Sequence, residues 1–200
     1  MVKRALIIGA SILVLGIGLA YGLSLFQEHE FSGTVYQTPT QAPSIVLPAS
    51  DGTTFELANQ QGKIVLIFFG YTSCPDVCPT TLSDLKRVTE ILGDKAEQTQ
   101  VVFVTVDPER DTVEKLHSYL SLFNSTFIGL TGNEKELSQV YTEYGVYREI
   151  DTASKTEAGY LVNHSSRLYL INQDGDLYIT YSYGTDPESI AADIEYLLDQ

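Results

Sequence analysis

The sequence predicts an α/β fold, a three-layer sandwich built from alternating strands and helices followed by an antiparallel hairpin and a helix. Two continuous apolar runs, "KIVLIFF" and "TQVVFVTV", have the composition of strands that are buried on both faces. Each run is followed by a stretch with apolar residues at helical spacing. Because strand–helix alternation is typical of parallel sheets, these two runs are expected to form the centre of the sheet.

The first half of the domain, which we expect to begin at residue 43, contains a hairpin and the two buried strands. The turn dipeptide Asp51-Gly52 lies between two short apolar stretches and predicts an N-terminal β-hairpin. The buried strands are Lys63–Phe69 and Thr99–Val106. The helix between them covers about Thr80–Leu92.

Two helix starts follow the second buried strand. Asp111 with Glu114 has the spacing of a capping box, and so has Asn133 with Glu136. The second of these helices is expected to run to about Tyr144. The short segment "FIGL" between the two helices is a candidate strand.

A hairpin and a helix complete the chain. Asp174-Gly175 is the predicted turn within "RLYLINQDGDLYITYSY", and Asp186-Pro187 opens a helix to Leu198. The resulting order is hairpin, βαβα, short βα, hairpin, helix. It predicts a thioredoxin-like sandwich, in which sites gather at the carboxyl ends of the parallel strands.

Residues 1–26 predict a membrane segment. Lys3 and Arg4 precede Ala5–Phe26, a stretch of 22 residues without a charge, which is long enough to span a bilayer. Cations before the span place the domain on the extracytoplasmic side. A cleaved signal peptide is the alternative, because "GLA" at 18–20 resembles a cleavage site. Residues 27–42 are polar and aperiodic and are expected to be a tether that leads to the domain at 43–200.

The chain is acidic, with a formal net charge of −14 over 200 residues. Such a surface repels phosphate backbones, so no nucleic-acid partner is expected, whereas a basic docking partner is compatible with it. The sequence contains no Trp, and its single Met is the initiator. A metal site in this domain would therefore have no thioether ligand.

Both cysteines, Cys74 and Cys78, lie in "FFGYTSCPDVCPTT" at residues 68–81. Outside the cytoplasm such a pair forms a structural disulfide, acts as a redox dithiol or binds a metal. A disulfide across so short a loop would stabilise the fold only slightly. The loop instead lies between a buried strand and a helix start, where backbone N–H groups and the helix dipole favour thiolates.

Two thiolates are too few for a closed zinc site, but together with one imidazole they suit Cu(I). His29 lies in the predicted tether, and His117 lies beside the apolar stripe of a helix, as expected of a structural residue. His164, before the last hairpin, is the histidine expected near the cysteine loop. No proline occurs between Pro108 and Pro187, so the proline that thioredoxin-type disulfide exchangers place opposite their cysteines is missing. This favours metal binding over disulfide exchange.

Four segments occur in order along the domain: "GKIVLIFFGYTSCPDVCPTTL", "VVFVTVDPERDT", "FIGLTG" and "YLVNHSSRLYLI". From about Ser44 to Leu198 the chain thereby resembles the Sco/SenC family, membrane-anchored copper proteins that serve the assembly of cytochrome c oxidase. One difference is Asn163, where the family commonly has Asp before the histidine.

The resemblance implies that Cys74, Cys78 and His164 bind copper, as Cu(I) and Cu(II), and that the protein passes it to the dinuclear copper site of oxidase subunit II. A copper donor or a thiol reductant would be a further partner. Asp107 is expected to lie beside the ligands and to orient or tune them. Asp111 is expected to act only as the helix cap.

Two other functions use the same cysteines. In a thiol–disulfide oxidoreductase, which the family resemblance also implies, Cys74 and Cys78 are a redox-active pair that keeps the cysteines of the oxidase copper site reduced. A peroxide-reducing thiol enzyme also fits the fold and would form a sulfenic acid at one cysteine.

Overall fold

The fold is built on a mixed six-stranded sheet, seen in a computed structural model that describes residues 29–156 and 159–200. The strands of these residues are β1 (Thr34–Gln41), β2 (Val46–Pro48), β3 (Thr54–Glu56), β4 (Ile64–Gly70), β5 (Thr99–Thr105), β6 (Ile128–Leu130), β7 (Arg148–Thr156), β8 (Gly159–His164), β9 (Leu168–Ile171) and β10 (Asp176–Tyr181). The helices are α1 (Val77–Leu92), α2 (Val113–Leu120), α3 (Glu134–Glu143) and α4 (Pro187–Leu198).

The main sheet has the strand order β1-β10-β9-β4-β5-β6. Strands β4, β5 and β6 are parallel, and β9, β10 and β1 extend the sheet in antiparallel fashion. All seven residues of β4 are buried, which agrees with a central strand covered on both faces. Two further pairs, β2–β3 and β7–β8, form separate two-stranded sheets.

Helices cover both faces of the sheet because successive residues of a strand point to opposite sides. Phe68 lies against Phe103, which in turn contacts Tyr119 of α2. The next residue, Phe69, points the other way and packs on Tyr141 of α3. On the first face α1 also packs against α4. The predicted layered α/β sandwich is therefore confirmed.

Both predicted hairpin turns are confirmed. Gly52, between β2 and β3, and Gly175, between β9 and β10, have φ values of 85° and 86°. This left-handed conformation carries no steric penalty for glycine, which explains the Asp-Gly pair at each turn.

The predicted tether is wrong for its second half. Thr34–Gln41 forms β1, which pairs with β10 through Val35 opposite Ile179. The strand is polar because it lies at the exposed edge of the sheet, so it lacks the alternation of a half-buried strand. Its pairing shifts register between Val35 and Thr40, around Pro39, which has no N–H to contribute to a ladder. The compact unit begins at Phe31 rather than at residue 43.

The β7–β8 hairpin is an element that the sequence patterns did not predict. Its register places Arg148 directly opposite His164 and Glu149 opposite Asn163. The hairpin is not part of the main sheet, so its strands lack the continuous apolar runs of β4 and β5. His164 is consequently the last residue of β8, at the open end of a separate hairpin. It does not depend only on the β9–β10 hairpin that follows.

No helix within the described residues combines the length and the hydropathy that a membrane crossing requires. The predicted membrane segment at residues 5–26 lies outside the described residues and stays a prediction.

Candidate metal centre

The first two donors lie where β4 meets α1. The strand ends at Gly70, and α1 begins at Val77, so Cys78 is in the first turn of the helix. A β-carbon on Gly70 would lie 2.9 Å from the Cys78 sulfur and 2.8 Å from the Phe103 ring. Glycine at this position therefore allows the strand to end directly beneath the Cys78 thiol.

Cys74 takes part in the N-terminal capping of α1. Its backbone N–H donates to the Tyr71 carbonyl at 3.2 Å, which closes the loop. Its sulfur accepts the N–H of Cys78 at 3.5 Å, whereas the side chain of the N-cap residue Asp76 makes no capping bond. The sulfur thus occupies the place of a capping oxygen, at the positive end of the helix dipole.

The two thiols have very different acidities. The pKa of Cys74 is lowered to about 3, chiefly because the Cys78 thiol hydrogen-bonds to its sulfur. The backbone N–H groups of residues 76 and 78 add to this effect, while partial burial opposes it. The pKa of Cys78 is raised because it holds the shared proton and because it is buried. Cys74 is therefore the thiolate of the pair at neutral pH.

His164 supplies a third donor from β8. Its Nε2 lies 3.8 Å from the Cys78 sulfur. Its Nδ1 is 2.9 Å from the carbonyl oxygen of Ser165, which can only accept, so in the neutral ring Nδ1 carries the proton and donates. Nε2 then has a free lone pair, which is the arrangement that second-sphere hydrogen bonds impose on metal-binding histidines.

Aromatic rings hold the imidazole in place. The Tyr71 ring lies edge-on to it at 5.8 Å between centroids, and the Phe68 ring at 6.4 Å. The Tyr71 hydroxyl also accepts the N–H of Val162 at 3.3 Å. Tyr71 consequently contacts both sides of the centre, Cys74 through its backbone and His164 through its ring.

The three donor atoms of Cys74, Cys78 and His164 lie within 4.8 Å of one another. One thiolate, one thiol that must ionise and one neutral imidazole are soft to borderline ligands. They suit a metal that accepts two or three such donors, as Cu(I) does, whereas a structural zinc site needs a fourth ligand. Cys74 and His164 are partly exposed and Cys78 is buried, so the site is open on one side.

The other histidines do not join this centre. The cluster that the described residues form contains only His164 of the three. His117 is exposed on α2, so it is a surface residue rather than a half-buried one. Asn163 is also exposed, on the face of β8 opposite to His164.

Asp107 lies beside the hairpin rather than beside the sulfurs. Its carboxylate is fully buried and accepts hydrogen bonds from the Nε of Arg110 and, at 2.7 Å, from the hydroxyl of Tyr160 on β8. The expectation that it orients the ligands stays a prediction. Any such effect would reach His164 through β8.

The expected role of Asp111 as a helix cap is wrong. The N-cap of α2 is Thr112, whose hydroxyl accepts the N–H of Lys115. The Asp111 carboxylate is fully buried and accepts from the backbone and hydroxyl of Thr72 and from the hydroxyl of Thr105. It therefore ties the start of the cysteine loop to the end of β5.

Sequence reasoning missed four residues that build the centre without being ligands: Tyr71, Thr72, Arg110 and Tyr160. Tyr71 and Thr72 stand next to the cysteines, and their position in the quoted loop was a signal. For Tyr160 the only signal is its spacing of four residues from His164, which places both on one face of a strand. Arg110 belongs to the quoted segment "VVFVTVDPERDT", but its partner ring is remote in sequence, so nothing indicated its contact.

Comparisons with known proteins point to one family. The SCO1/SenC family model matches residues 37–199. The SCO2-like protein of Rickettsia prowazekii is 40% identical over 134 residues, which cover 62% of this chain and 65% of that protein. The chain thus spans slightly less than two thirds of the length of the first curated relatives that it matches.

Solved structures match over most of the domain. Bradyrhizobium japonicum ScoI with copper bound has a TM-score of 0.73 and 34% identity, covering 80% of this chain and 100% of that one. Apo Sco1 from Thermus thermophilus has a TM-score of 0.76 and 36% identity, covering 85% of this chain and 98% of that one. With a family match over residues 37–199 and this fold, the chain belongs to the SCO1/SenC family.

Proposed function

We propose that this protein is a copper metallochaperone, which carries copper on Cys74, Cys78 and His164 and delivers it to the dinuclear copper site of cytochrome c oxidase subunit II. The observation that carries the proposal is the convergence of the three donor atoms within 4.8 Å at a partly open site. The copper-bound ScoI of Bradyrhizobium japonicum supports it, because that protein shares the fold at 34% identity.

The donor set suits a cargo that must leave again. With both cysteines as thiolates and His164 neutral, a Cu(I) complex carries one net negative charge, and Cu(II) requires the third ligand more strongly. Because Cys74 and His164 are partly exposed, an incoming ligand can replace one donor at a time. Oxidation of the two thiols to a disulfide removes two of three donors, so the redox state controls copper loading.

Copper titration of the reduced full chain in detergent tests the binding site. We expect one copper per chain and a sulfur-to-Cu(II) charge-transfer band. His164→Ala should keep the fold but lower the Cu(II) affinity by at least about a hundredfold, since even outer-sphere partners of metal ligands contribute 10–100-fold. His117→Ala, which removes an exposed histidine outside the cluster, is the matched control. Unchanged Cu(II) affinity in His164→Ala would contradict the three-ligand site.

Delivery needs a separate measurement. Copper-loaded protein mixed with the reduced copper-binding domain of subunit II should lose its charge-transfer band, and copper should be found on the acceptor after the two proteins are separated. A copper donor or thiol reductant must then reload or reduce the protein. If copper stays on the chain with excess acceptor present, the protein stores copper rather than delivering it.

A thiol–disulfide oxidoreductase is the second candidate, favoured by the contrast between the two thiols. The Cys74 thiolate is partly exposed, and its pKa is about 3 through the hydrogen bond from Cys78. It can attack a disulfide of the oxidase copper site, forming a mixed disulfide and releasing one target thiolate. Cys78 then attacks Cys74, which frees the second target thiol and leaves a Cys74–Cys78 disulfide that a thiol reductant must reduce.

The two candidates separate in His164→Ala. Reduction of an oxidised subunit II domain by metal-free protein, at an undiminished rate in this variant, would select the oxidoreductase. Loss of copper delivery in His164→Ala, together with no reduction of the oxidised domain by the metal-free wild-type protein, would select the chaperone.

We also propose that residues 5–26 anchor the domain on the extracytoplasmic side. The uncharged run behind Lys3 and Arg4 supports this. Retention in the membrane after alkaline extraction, with the domain open to protease from outside the cytoplasmic membrane, is the expected result. A soluble, shortened chain would instead indicate cleavage.

A further inference from the structure

We propose that Arg110 is a positioning residue for His164: its guanidinium fixes the inward face of β8 so that the imidazole lies beside Cys78. The consequence for copper rests on the proposed function, whereas the geometry can be tested in the metal-free protein. Arg110 belongs to the turn after β5, and its partners lie on β8 and in the loop after β4.

Strand β8 meets the body of the protein along one face. Tyr160, Val162 and His164 alternate along the strand and therefore share that face, while Leu161 and Asn163 are exposed. Val162 is buried, and its N–H donates to the Tyr71 hydroxyl. Tyr160 is four residues from His164, so the strand between them spans about 13 Å.

Arg110 holds the far end of this face. Its Cζ lies 3.7 Å from the centroid of the Tyr160 ring, a distance at which a guanidinium stacks on an aromatic face. Its Nε bonds to Asp107, which also accepts from the Tyr160 hydroxyl. The ring of Tyr160 is thus fixed in both its plane and its direction. A β-carbon at Gly159 would lie 2.8 Å from Nη1 of Arg110, so glycine permits this close stacking.

The same guanidinium also faces the cysteine loop. Its Cζ is 5.7 Å from the centroid of Tyr71, whose ring contacts the imidazole of His164. Arg110 therefore stands between an aromatic ring of the hairpin and one of the cysteine loop.

The burial of Arg110 is not explained by stability alone. About four fifths of its side chain is buried, and the buried Nη2 has no acceptor among the residues that the structure describes. A buried donor without a partner is unfavourable. A smaller apolar side chain would avoid this cost but could not bond to Asp107 and stack on Tyr160 at once, which indicates a role in geometry.

A second anchor acts at the other end of the strand pair. Arg148, opposite His164 on β7, donates to the Val106 carbonyl at 2.6 Å and to Glu134 at 2.8 Å. This contact holds the base of the hairpin to the body. Tyr160 lies about 13 Å along the strand from this base, so its contact with Arg110 is the one that fixes the distal end of β8, while the Val162 bond to Tyr71 holds the middle of the strand.

The test begins with the metal-free full chain in detergent and the variant Arg110→Met, which keeps bulk but removes charge and planarity. We expect the ring signals of His164 in nitrogen-15 NMR spectra to shift and broaden. Hydrogen exchange at the Val162 amide should rise at least about tenfold while α1 stays protected. Arg87→Met, which removes an exposed arginine on α1, should change neither. Unchanged His164 signals in Arg110→Met would overturn the proposal.

A double-mutant cycle then tests whether Arg110 acts through His164. Arg110→Met should lower Cu(II) affinity by about tenfold or more in the wild-type background and leave it unchanged in the His164→Ala background. Equal losses in both backgrounds would mean a merely structural role and would overturn the proposal. Absence of copper binding in the wild type would instead refute the proposed function, while the NMR and exchange measurements would still decide the positioning role.

Two conservative variants divide the interaction. Arg110→Lys keeps a charge for Asp107 but not the planar stack, and Tyr160→Phe keeps the stack but not the hydroxyl bond. In each variant the ring signals of His164 should lie between those of the wild type and those of Arg110→Met. If neither variant differs from Arg110→Met, stacking and hydrogen bonding to Asp107 do not position the ring, and the proposal fails.

Discussion

The two halves of the candidate centre are held by different kinds of structure. The cysteine loop is continuous with a buried strand and a helix, and Asp111 ties its first residues to β5. His164 stands at the end of a two-stranded hairpin outside the main sheet, held to the body by individual side chains. The loop half is thus fixed by the core, whereas the position of the hairpin half depends on a few side-chain contacts.

The largest expected effect concerns the chemistry of the loop half alone. At pH 5.5 iodoacetamide should alkylate Cys74 on the order of a thousandfold faster than Cys78, because Cys74 is the thiolate and Cys78 is buried and protonated. With a pKa of about 3, Cys74 stays ionised from pH 8 to pH 5, so its rate should be nearly flat there and fall only near pH 3. Mass spectrometry of the alkylated protein measures both rates.

His164→Ala should leave this profile close to that of the wild type, because the bond from Cys78 is the main cause of the low pKa. An alkylation rate that falls tenfold per pH unit below pH 8 in this variant would mean that the loop half depends on the hairpin.

Asp111→Ala should be the most destabilising substitution in the loop half. It leaves the Thr72 N–H and the hydroxyls of Thr72 and Thr105 without their acceptor. Since each buried unsatisfied group costs about 1–3 kcal/mol, a loss of about 3 kcal/mol in the free energy of unfolding is expected from urea denaturation. Asp51→Ala, at an exposed turn, is the matched control and should cost less than about 1 kcal/mol. If Asp111→Ala costs no more than Thr112→Ala, which removes the cap of α2, the bonds from Thr72 and Thr105 to Asp111 do not stabilise the loop half.

Gly70→Ala should cost about 2 kcal/mol by overpacking, since the new methyl would meet the Phe103 ring and the Cys78 sulfur. Urea denaturation measures the loss, and the copper charge-transfer band should shift because the sulfur must move. Ser83→Ala, on the exposed face of α1, is the control and should cost less than about 1 kcal/mol. An equal loss in the free energy of unfolding in both variants would mean that the Cys78 sulfur can shift without a cost in stability.

Arg148→Met, in the hairpin half, should have the smallest effect on global stability, about 1 kcal/mol. It removes the hydrogen bonds to the Val106 carbonyl and to Glu134. Amide exchange in β8 should accelerate while exchange in α1 does not change. Faster exchange in both elements would show that the two halves are one cooperative unit.

The sequence predicted the loop half because its determinants are local. Periodicity identified β4 and β5, and the cysteines follow β4 directly. The element order alone therefore predicted that the cysteines lie at the carboxyl ends of the parallel strands. The capping box at Asn133 and Glu136 was predicted for the same reason and is present in the structure. Such features depend on residues that are close in the chain.

The remaining features depend on contacts between distant segments. The spacing of Asp111 and Glu114 fits a capping box. In the structure, however, the Asp111 carboxylate accepts hydrogen bonds from the hydroxyls of Thr72 and Thr105, and Thr112 is the N-cap of α2. The polar edge strand β1 and the β7–β8 hairpin have too little buried apolar surface to show a strand pattern. Their pairing is set by partners that no local pattern reveals.

The partner of the His164 Nδ1 proton is the carbonyl of the very next residue, Ser165. Because the acceptor belongs to the adjacent residue, a displacement of the hairpin would carry donor and acceptor together and would keep the neutral ring in the same tautomer. The separation of Nε2 from the Cys78 sulfur could then change without a proton moving from one ring nitrogen to the other.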